Sequence, residues 1–225
     1  LKLNILFEDS HILVCEKPSG VPSQSSRTGT PDMESLLKNY LFEKDPGKGE
    51  PYLAMIHRLD QPVQGVMVFG KTPFAAKELS RQVNDGTMKK FYIAVTCGKM
   101  PSDEGVLTDY LIKNGRENTS SVASKNAPGA KKAELRYKVL ERHEEGVNLV
   151  EIELITGRHH QIRVQMANAG TPLWGDTKYN KEFAAKEGWS QISLCAFRLT
   201  FRHPKTKASM TFSTQPEGPG FERLT

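Results

Sequence analysis

A chain of 225 residues, 37% hydrophobic and 25% charged, is long enough to bury a core without staples, as one large domain or two small ones. Its 31 basic and 26 acidic residues leave a net charge of +5, compatible with a polyanionic partner but no proof of one. Cys15, Cys97 and Cys195 are scattered and odd in number, which argues against a disulfide framework or a thiolate zinc site and points to a reducing, cytoplasmic setting. No apolar run approaches the roughly 20 residues of a membrane helix, so no membrane role is expected.

Ile5–Phe7 and His11–Cys15 are β-prone runs about the Asp9-Ser10 turn signal, which predicts a hairpin. Lys17-Pro18-Ser19-Gly20 breaks the pattern. Beyond a polar, Ser-rich loop, Asp32 caps a helix with Leu36, Leu37, Tyr40 and Leu41 at helical spacing, and Glu43–Glu50 reads as a charged surface loop. In Met55–Lys71, His57 and Arg58 stand just before Asp60, with Gln61, Pro62 and Gly65 after it, so the acid falls on a loop. Alone, such an Arg-Leu-Asp reads as a solvated ion pair. Val66–Phe69 does not alternate, which suggests a strand covered on both faces.

Thr72-Pro73 opens a helix with Ala75, Ala76, Leu79 and Val83 inward, closed by Asn84-Asp85-Gly86. Met88–Cys97 alternates and puts Lys90 and Tyr92 on the face opposite Phe91, Ile93 and Val95. Asp109–Ala130 reads as a polar insertion or a mobile hairpin, whose Lys113, Arg116 and Lys125, with Lys131 and Lys132 just beyond, either meet phosphates or stay solvated. Ala133–Leu140 and Asn148–Ile155 make a hairpin through Glu144-Glu145-Gly146. His159–Ala169 carries Ile162, Met166 and Ala169 at helical spacing and stops at Gly170, with Arg163 on the flank of the buried stripe. On such a helix His159 and His160 diverge, so a metal site there is not expected. Trp174–Trp189 is irregular, and Gln191–Phe201 and Ala208–Phe212 are strands about His203-Pro204-Lys205-Thr206. Strands dominate without regular βαβ alternation, which indicates an α+β domain on a mixed, largely antiparallel sheet with flanking helices. Neither an internal repeat nor a domain boundary stands out.

Three stretches together resemble the RluA family of pseudouridine synthases. His57-Arg58-Leu59-Asp60 with Gly65 and Lys71 resembles the family's HRLD…G…K signature, and Lys90–Val95 with Gly98 its K-x-Y-x-A-x-V-x-G strand. Thr156–Val164, continuing to Gly170, Pro172 and Gly175-Asp176, resembles TGRTHQIRVH…G-x-P…GD. The Lys17-Pro18-Ser19-Gly20 opening and the final pair of strands fit as well. The resemblance implies one pseudouridine synthase catalytic domain over 1–225, without the S4-type RNA-binding module that many members carry upstream. Because the sequence opens on Leu1 rather than Met, such a module in the natural chain is left open.

The implied reaction is isomerisation of specific uridines in structured RNA, ribosomal or transfer RNA, after base flipping, with no cofactor or metal. RNA is the implied partner of a monomer with no obligate protein partner. By the same resemblance Asp60 is the catalytic acid, Arg163 the guanidinium that pairs with it and keeps it ionised, and Tyr92 the aromatic lying against the base. Arg58 is implied to fill the vacated space, and His57, Lys71, Lys90, Arg158, His160 and Gln161 are implied RNA contacts.

The chain departs from the family pattern in four places. It has Val63-Gln64 for Thr-Ser, His159 for Thr, Gln165 for His, and Cys195 for the His of L-H-A. These bear on target choice. The alternative readings are a catalytically inactive RNA-binding protein of the same fold, and a hydrolase using Asp60 with His57 or His160. The hydrolase lacks a serine elbow, a metal-ligand constellation or a second acid at recognisable spacing.

Overall fold

In the computed structural model, residues 2–25, 29–186 and 190–224 are described; part of the Ser-rich loop, 26–28, and Trp189 lie outside them. The chain begins with β1 (Asn4–Glu8), β2 (Ile12–Lys17), α1 (Met33–Lys44), β3 (Ala54–Met55), β4 (Gln64–Gly70) and α2 (Pro73–Asn84). Next come β5 (Lys89–Cys97), β6 (Glu104–Asn114), β7 (Thr119–Ala123), β8 (Lys131–Arg142) and β9 (Val147–Leu154). Last are α3 (Gln161–Asn168), α4 (Lys181–Ala184), β10 (Leu194–Arg202), β11 (Ser209–Ser213) and α5 (Pro219–Glu222). This is the strand-dominated α+β pattern that the sequence predicts.

The chain gathers into two compact units, Leu1–Lys89 with Ala196–Thr214 and Lys90–Cys195 with Gln215–Thr225. Of the three crossings, two fall inside strands, β5 and β10, where no linker composition marks them, and the third follows β11 at Thr214.

In the first unit the strand order is β1-β2-β4-β10, with β3 on β4 and β11 on β10. The β1–β2, β2–β4 and β10–β11 ladders are antiparallel. All seven residues of β4 are buried, as its unbroken apolar run requires. Val66 and Val68 pack with Ile12, Val14, Ala75, Leu79, Leu199 and Phe201; burying each large member contributes about 1.5–3 kcal/mol. At the start of β4, Gly65 has φ +138°, and a Cβ there would collide with the Ala196 backbone, so only glycine fits. A reciprocal capping box starts α1: Asp32 Oδ1 accepts the Ser35 N–H at 2.8 Å, and Ser35 Oγ accepts the Asp32 N–H at 3.2 Å. In α2, Thr72 Oγ1 accepts the Ala75 N–H at 3.1 Å ahead of a helix opened by Pro73.

In the second unit the order is β5-β9-β8-β6-β7, antiparallel throughout. Of the two readings of 109–130, the structure has the hairpin and not the polar insertion: an eleven-residue strand, β6, pairs with β8 from Glu104↔Lys138 to Leu111↔Lys131 and then turns into β7 at Asn114↔Thr119. The pattern was hidden because Asp109 belongs to the more enclosed set of alternating positions, and its Oδ2 accepts from Gln165 Nε2 at 2.8 Å. Helix α3 starts at Gln161 rather than His159, because His160 takes a left-handed backbone (φ 53°). Six successive residues of α3, Gln161 to Met166, are buried, so it lies in the interior rather than on an amphipathic surface. No helix among the described residues is long and apolar enough to cross a membrane.

Near the β1–β2 turn, Glu8 accepts from Lys71 (2.7 Å), Lys44 (2.8 Å) and Tyr40 (2.9 Å). Burial alone would raise its pKa, but these donors outweigh it and bring the carboxyl from 4.5 down to about 2. The folded chain therefore holds this carboxylate ionised where the unfolded chain protonates it. Its stabilisation is present above pH 4.5 and is lost as pH falls towards 2. Urea titrations of Glu8→Gln against the parent should show a less stable variant at pH 7, and the gap should close in that acid window; a gap that persists at pH 2 would assign it to packing instead.

Candidate active site

Asp60 lies half-buried on a turn closed by its own carbonyl, which accepts the Val63 N–H at 2.9 Å. Its neighbours on both sides are tied to the Pro18–Ser23 segment. Ser23 Oγ donates to the Leu59 carbonyl (2.7 Å) and accepts the Leu59 N–H (3.1 Å). On the other side, Gly20 N–H donates to the Gln61 carbonyl at 2.9 Å, and Ser19 Oγ donates to the Pro62 carbonyl at 2.8 Å. The strongest tie is Lys17, a fully buried lysine whose Nζ donates to the carbonyls of Pro18 (2.9 Å), Val21 (2.6 Å) and Gln61 (3.0 Å). Three carbonyls match the three protons of an ammonium. Burial pushes the Lys17 pKa down to about 7, and the Asp60 carboxylate pulls the other way.

The other expected residues of this unit are placed as follows. His57 is partly buried, and its Nε2 accepts the Val68 N–H at 3.3 Å, tying the loop to β4. Arg58 is exposed beside Asp60. Lys71 is engaged with Glu8 and with the Asp9 carbonyl at 2.6 Å.

The second unit holds Lys90, Tyr92, Arg158, His160, Gln161 and Arg163. Tyr92 is buried in β5, opposite Ile152 of β9. Lys90 is partly buried and its pKa is lowered by desolvation; its Nζ lies beside Gly157. Arg158 Nε donates to the Lys132 carbonyl at 2.9 Å. Gln161 closes the turn before α3: its Oε1 accepts from Thr156 Oγ1 and Arg158 N, and its Nε2 donates to the Glu134 carbonyl.

Arg163 is buried and forks onto buried Asp176, Nε to Oδ2 at 2.8 Å and Nη2 to Oδ1 at 2.7 Å. Its Cζ lies 5.2 Å from the centre of the Tyr179 ring. The expectation that His159 and His160 diverge is corrected: both precede the helix, and their rings stack at 3.8 Å. Burial first, and then the neighbouring cations led by Arg163, hold the His160 pKa down at about 2, so its ring is neutral at physiological pH.

The family description "RNA pseudouridylate synthase" matches residues 11–168, a span that includes Asp60, Tyr92 and Arg163. The chain belongs to the RNA pseudouridylate synthase family. Among curated relatives of this family member, the uncharacterized RNA pseudouridine synthase YhcT of Bacillus subtilis (strain 168) is 36% identical over 183 residues, 79% of this chain and 58% of that protein. The dual-specificity RNA pseudouridine synthase RluA of Yersinia pestis is 32% identical, over 95% of this chain and 98% of that protein. In fold, the family member is similar to human RNA pseudouridylate synthase domain containing 4, with a TM-score of 0.78 at 23% identity, covering 95% of this chain and 88% of that one.

Sequence reasoning gave no role to Lys17, Ser23, Asp176 or Tyr179. Lys17 had a signal, a single cation ending the buried run Ile12–Cys15 just before a Pro-Ser-Gly turn. Ser23 had none, since a serine in a polar loop looks the same whether it faces water or a backbone. Replacing Ser23 with Ala would leave the Leu59 N–H and carbonyl of this family member without that partner, costing about 1–3 kcal/mol. The urea midpoint should fall accordingly; an unmoved midpoint would show that the Asp60 turn stands without this clasp.

Proposed function

We propose that the chain converts specific uridines to pseudouridine in structured RNA, ribosomal or transfer RNA, with Asp60 as the essential acid. The reaction breaks the N1–C1′ bond, turns the uracil in the site, joins C5 to C1′ and releases the C5 proton. Substrate and product are isomers, so no oxidant, reductant or cofactor is required. A carboxylate is needed to attack covalently or to stabilise the cationic sugar, and a base to accept the C5 proton. The observation that carries the reading is family membership over a span holding all three implied catalytic residues.

In this reading the target base is flipped out of its stack at a cost of a few kcal/mol. Tyr92 lies against the flipped base, and its hydroxyl is a candidate relay for the C5 proton. Arg163 is the guanidinium that the family resemblance assigns to offsetting the desolvation of the ionised acid. Arg58, exposed beside the acid, supports the role of a side chain that enters the vacated stack. Lys90 and Arg158 meet phosphates, His57 and Lys71 flank the surface on which the RNA rests, and His160 and Gln161, both buried, support it from beneath. The enzyme acts as a monomer in the cytoplasm, with RNA as its partner.

Asp60→Asn keeps the shape of the side chain and removes its charge. Tritium release from RNA carrying [5-³H]uridine should drop by at least about a thousandfold in this variant, while RNA binding stays within a few-fold of the parent. Equal rates for variant and parent would reject the Asp60 mechanism. A parent that binds RNA but releases no tritium would favour the inactive RNA-binding reading instead.

A further inference from the structure

The β6–β7 hairpin is fastened to the start of α3 and to the 176–180 turn by side chains that also hold Arg163. Tyr179 is the hub. Its hydroxyl accepts the Ser120 N–H of β7 at 2.8 Å and shares a 2.8 Å hydrogen bond with His160 Nδ1, while its ring lies under the Arg163 guanidinium. A hydroxyl can do both, because it accepts on a lone pair while donating its proton to a neutral imidazole. Asp176, which forks Arg163, also accepts the N–H groups of Lys178 (2.9 Å) and Tyr179 (3.2 Å) on Oδ1. One short turn therefore supplies both the carboxylate and the ring that fix the arginine.

The hairpin side of the seam is equally specific. His159 Nδ1 bonds Ser120 Oγ at 2.8 Å, its Nε2 bonds Asn118 Oδ1 at 3.1 Å, and its ring stacks on His160. Lys178 Nζ donates to the Asn118 carbonyl at 2.9 Å. Further along α3, Gln165 reaches Asp109 and the Leu107 carbonyl of β6. His159 and Gln165 are the two positions where this segment departs from the family pattern, and both side chains point into the hairpin seam. His160 is held in a left-handed conformation that costs a non-glycine residue free energy; such strain persists where the surroundings over-determine it. The hairpin and its flank carry Lys113, Arg116, Lys125 and Lys131 with no carboxylate partner among the described residues.

We infer that His159 and Tyr179 are positioning residues that clamp the β6–β7 hairpin onto the base of α3 and thereby set the orientation of the Arg163 guanidinium, so that a phosphate chain drawn onto the hairpin cations acts on the arginine. The inference rests on the proposed function for the role of Arg163 in turnover, but the clamp can be read without turnover.

The experiment is NMR hydrogen exchange at the Arg163 Nε–H and the Ser120 N–H in the parent, Tyr179→Phe and His159→Thr, with the Val150 N–H of β9 as a reference for global stability. Tyr179→Phe should speed both reporter protons together, by about fivefold or more, with Val150 unchanged, and His159→Thr should do so to a smaller degree. In tritium release, Tyr179→Phe should lower kcat about tenfold with KM for RNA within twofold, because a misaligned group costs turnover rather than binding. If Ser120 exchanges faster while Arg163 Nε–H and kcat hold, the seam is only structural and the inference is overturned. If neither proton moves in either variant, there is no clamp. A parent without tritium release would defeat the proposed function alone, and the exchange data would still decide the clamp.

Discussion

A lysine with no exposed surface is an expensive thing to fold around, and the turn that presents Asp60 is built on one, Lys17, whose pKa burial brings down to about 7. Removing an ammonium from water costs several kcal/mol unless its protons are matched. At Lys17 they are matched by three backbone carbonyls, one from the residue after Asp60 and two from the Pro18–Val21 bend. Those carbonyls come from two segments far apart in sequence, so the lysine can be satisfied only when both are in place. The cost of burying the charge becomes a constraint on geometry: if the turn moves by an ångström, one of three charge-assisted hydrogen bonds is lost. The same ammonium places a positive charge near the Asp60 carboxylate within its own unit.

The second unit solves a similar problem differently. Arg163 is buried and its charge is met by Asp176 in a side-on fork, a geometry that suits guanidinium and not ammonium. Because Asp176 also accepts two backbone N–H groups of its own turn, the carboxylate is fixed before it meets the arginine. Glu8 shows the contrasting case near the surface, where three donors hold one carboxylate ionised and mainly brace the β1–β2 turn. At Lys17 and Arg163 a buried charge is held by backbone carbonyls and by a buried carboxylate, with little freedom to rearrange, whereas Lys44, one of the donors to Glu8, stays half-exposed.

Much of this was legible in the sequence, and the exceptions share a cause. The unbroken run Val66–Phe69 gave a doubly covered strand, and Asp32 and Thr72-Pro73 gave both helix starts, because each signal is local. Asp60 was legible as a loop acid flanked by Pro and Gly. The hairpin of β6 and β7 was one of two readings, but the start and length of β6 were not legible, since its enclosed positions include Gly105 and Asp109, whose carboxylate is bonded by Gln165 more than fifty residues later. The start of α3 was read two residues early because helical periodicity says nothing about the left-handed His160, which is held by tertiary contacts. Lys17 left one signal, a cation at the end of an apolar run, but Asp176 and Tyr179 act through backbone groups or through another side chain, and spacing along the chain carries no trace of that.

The central claim is that a buried ammonium fixes the turn that carries Asp60, the acid proposed for turnover. The most direct measurement is single-turnover tritium release by Lys17→Met, a variant that keeps the length of the aliphatic stem and removes the ammonium. On this account the variant still gives the near-ultraviolet circular dichroism of a folded chain, yet releases tritium at least about a hundredfold more slowly, the penalty expected for a reacting group displaced by about an ångström. A folded Lys17→Met protein that turns over at the parent rate would contradict it.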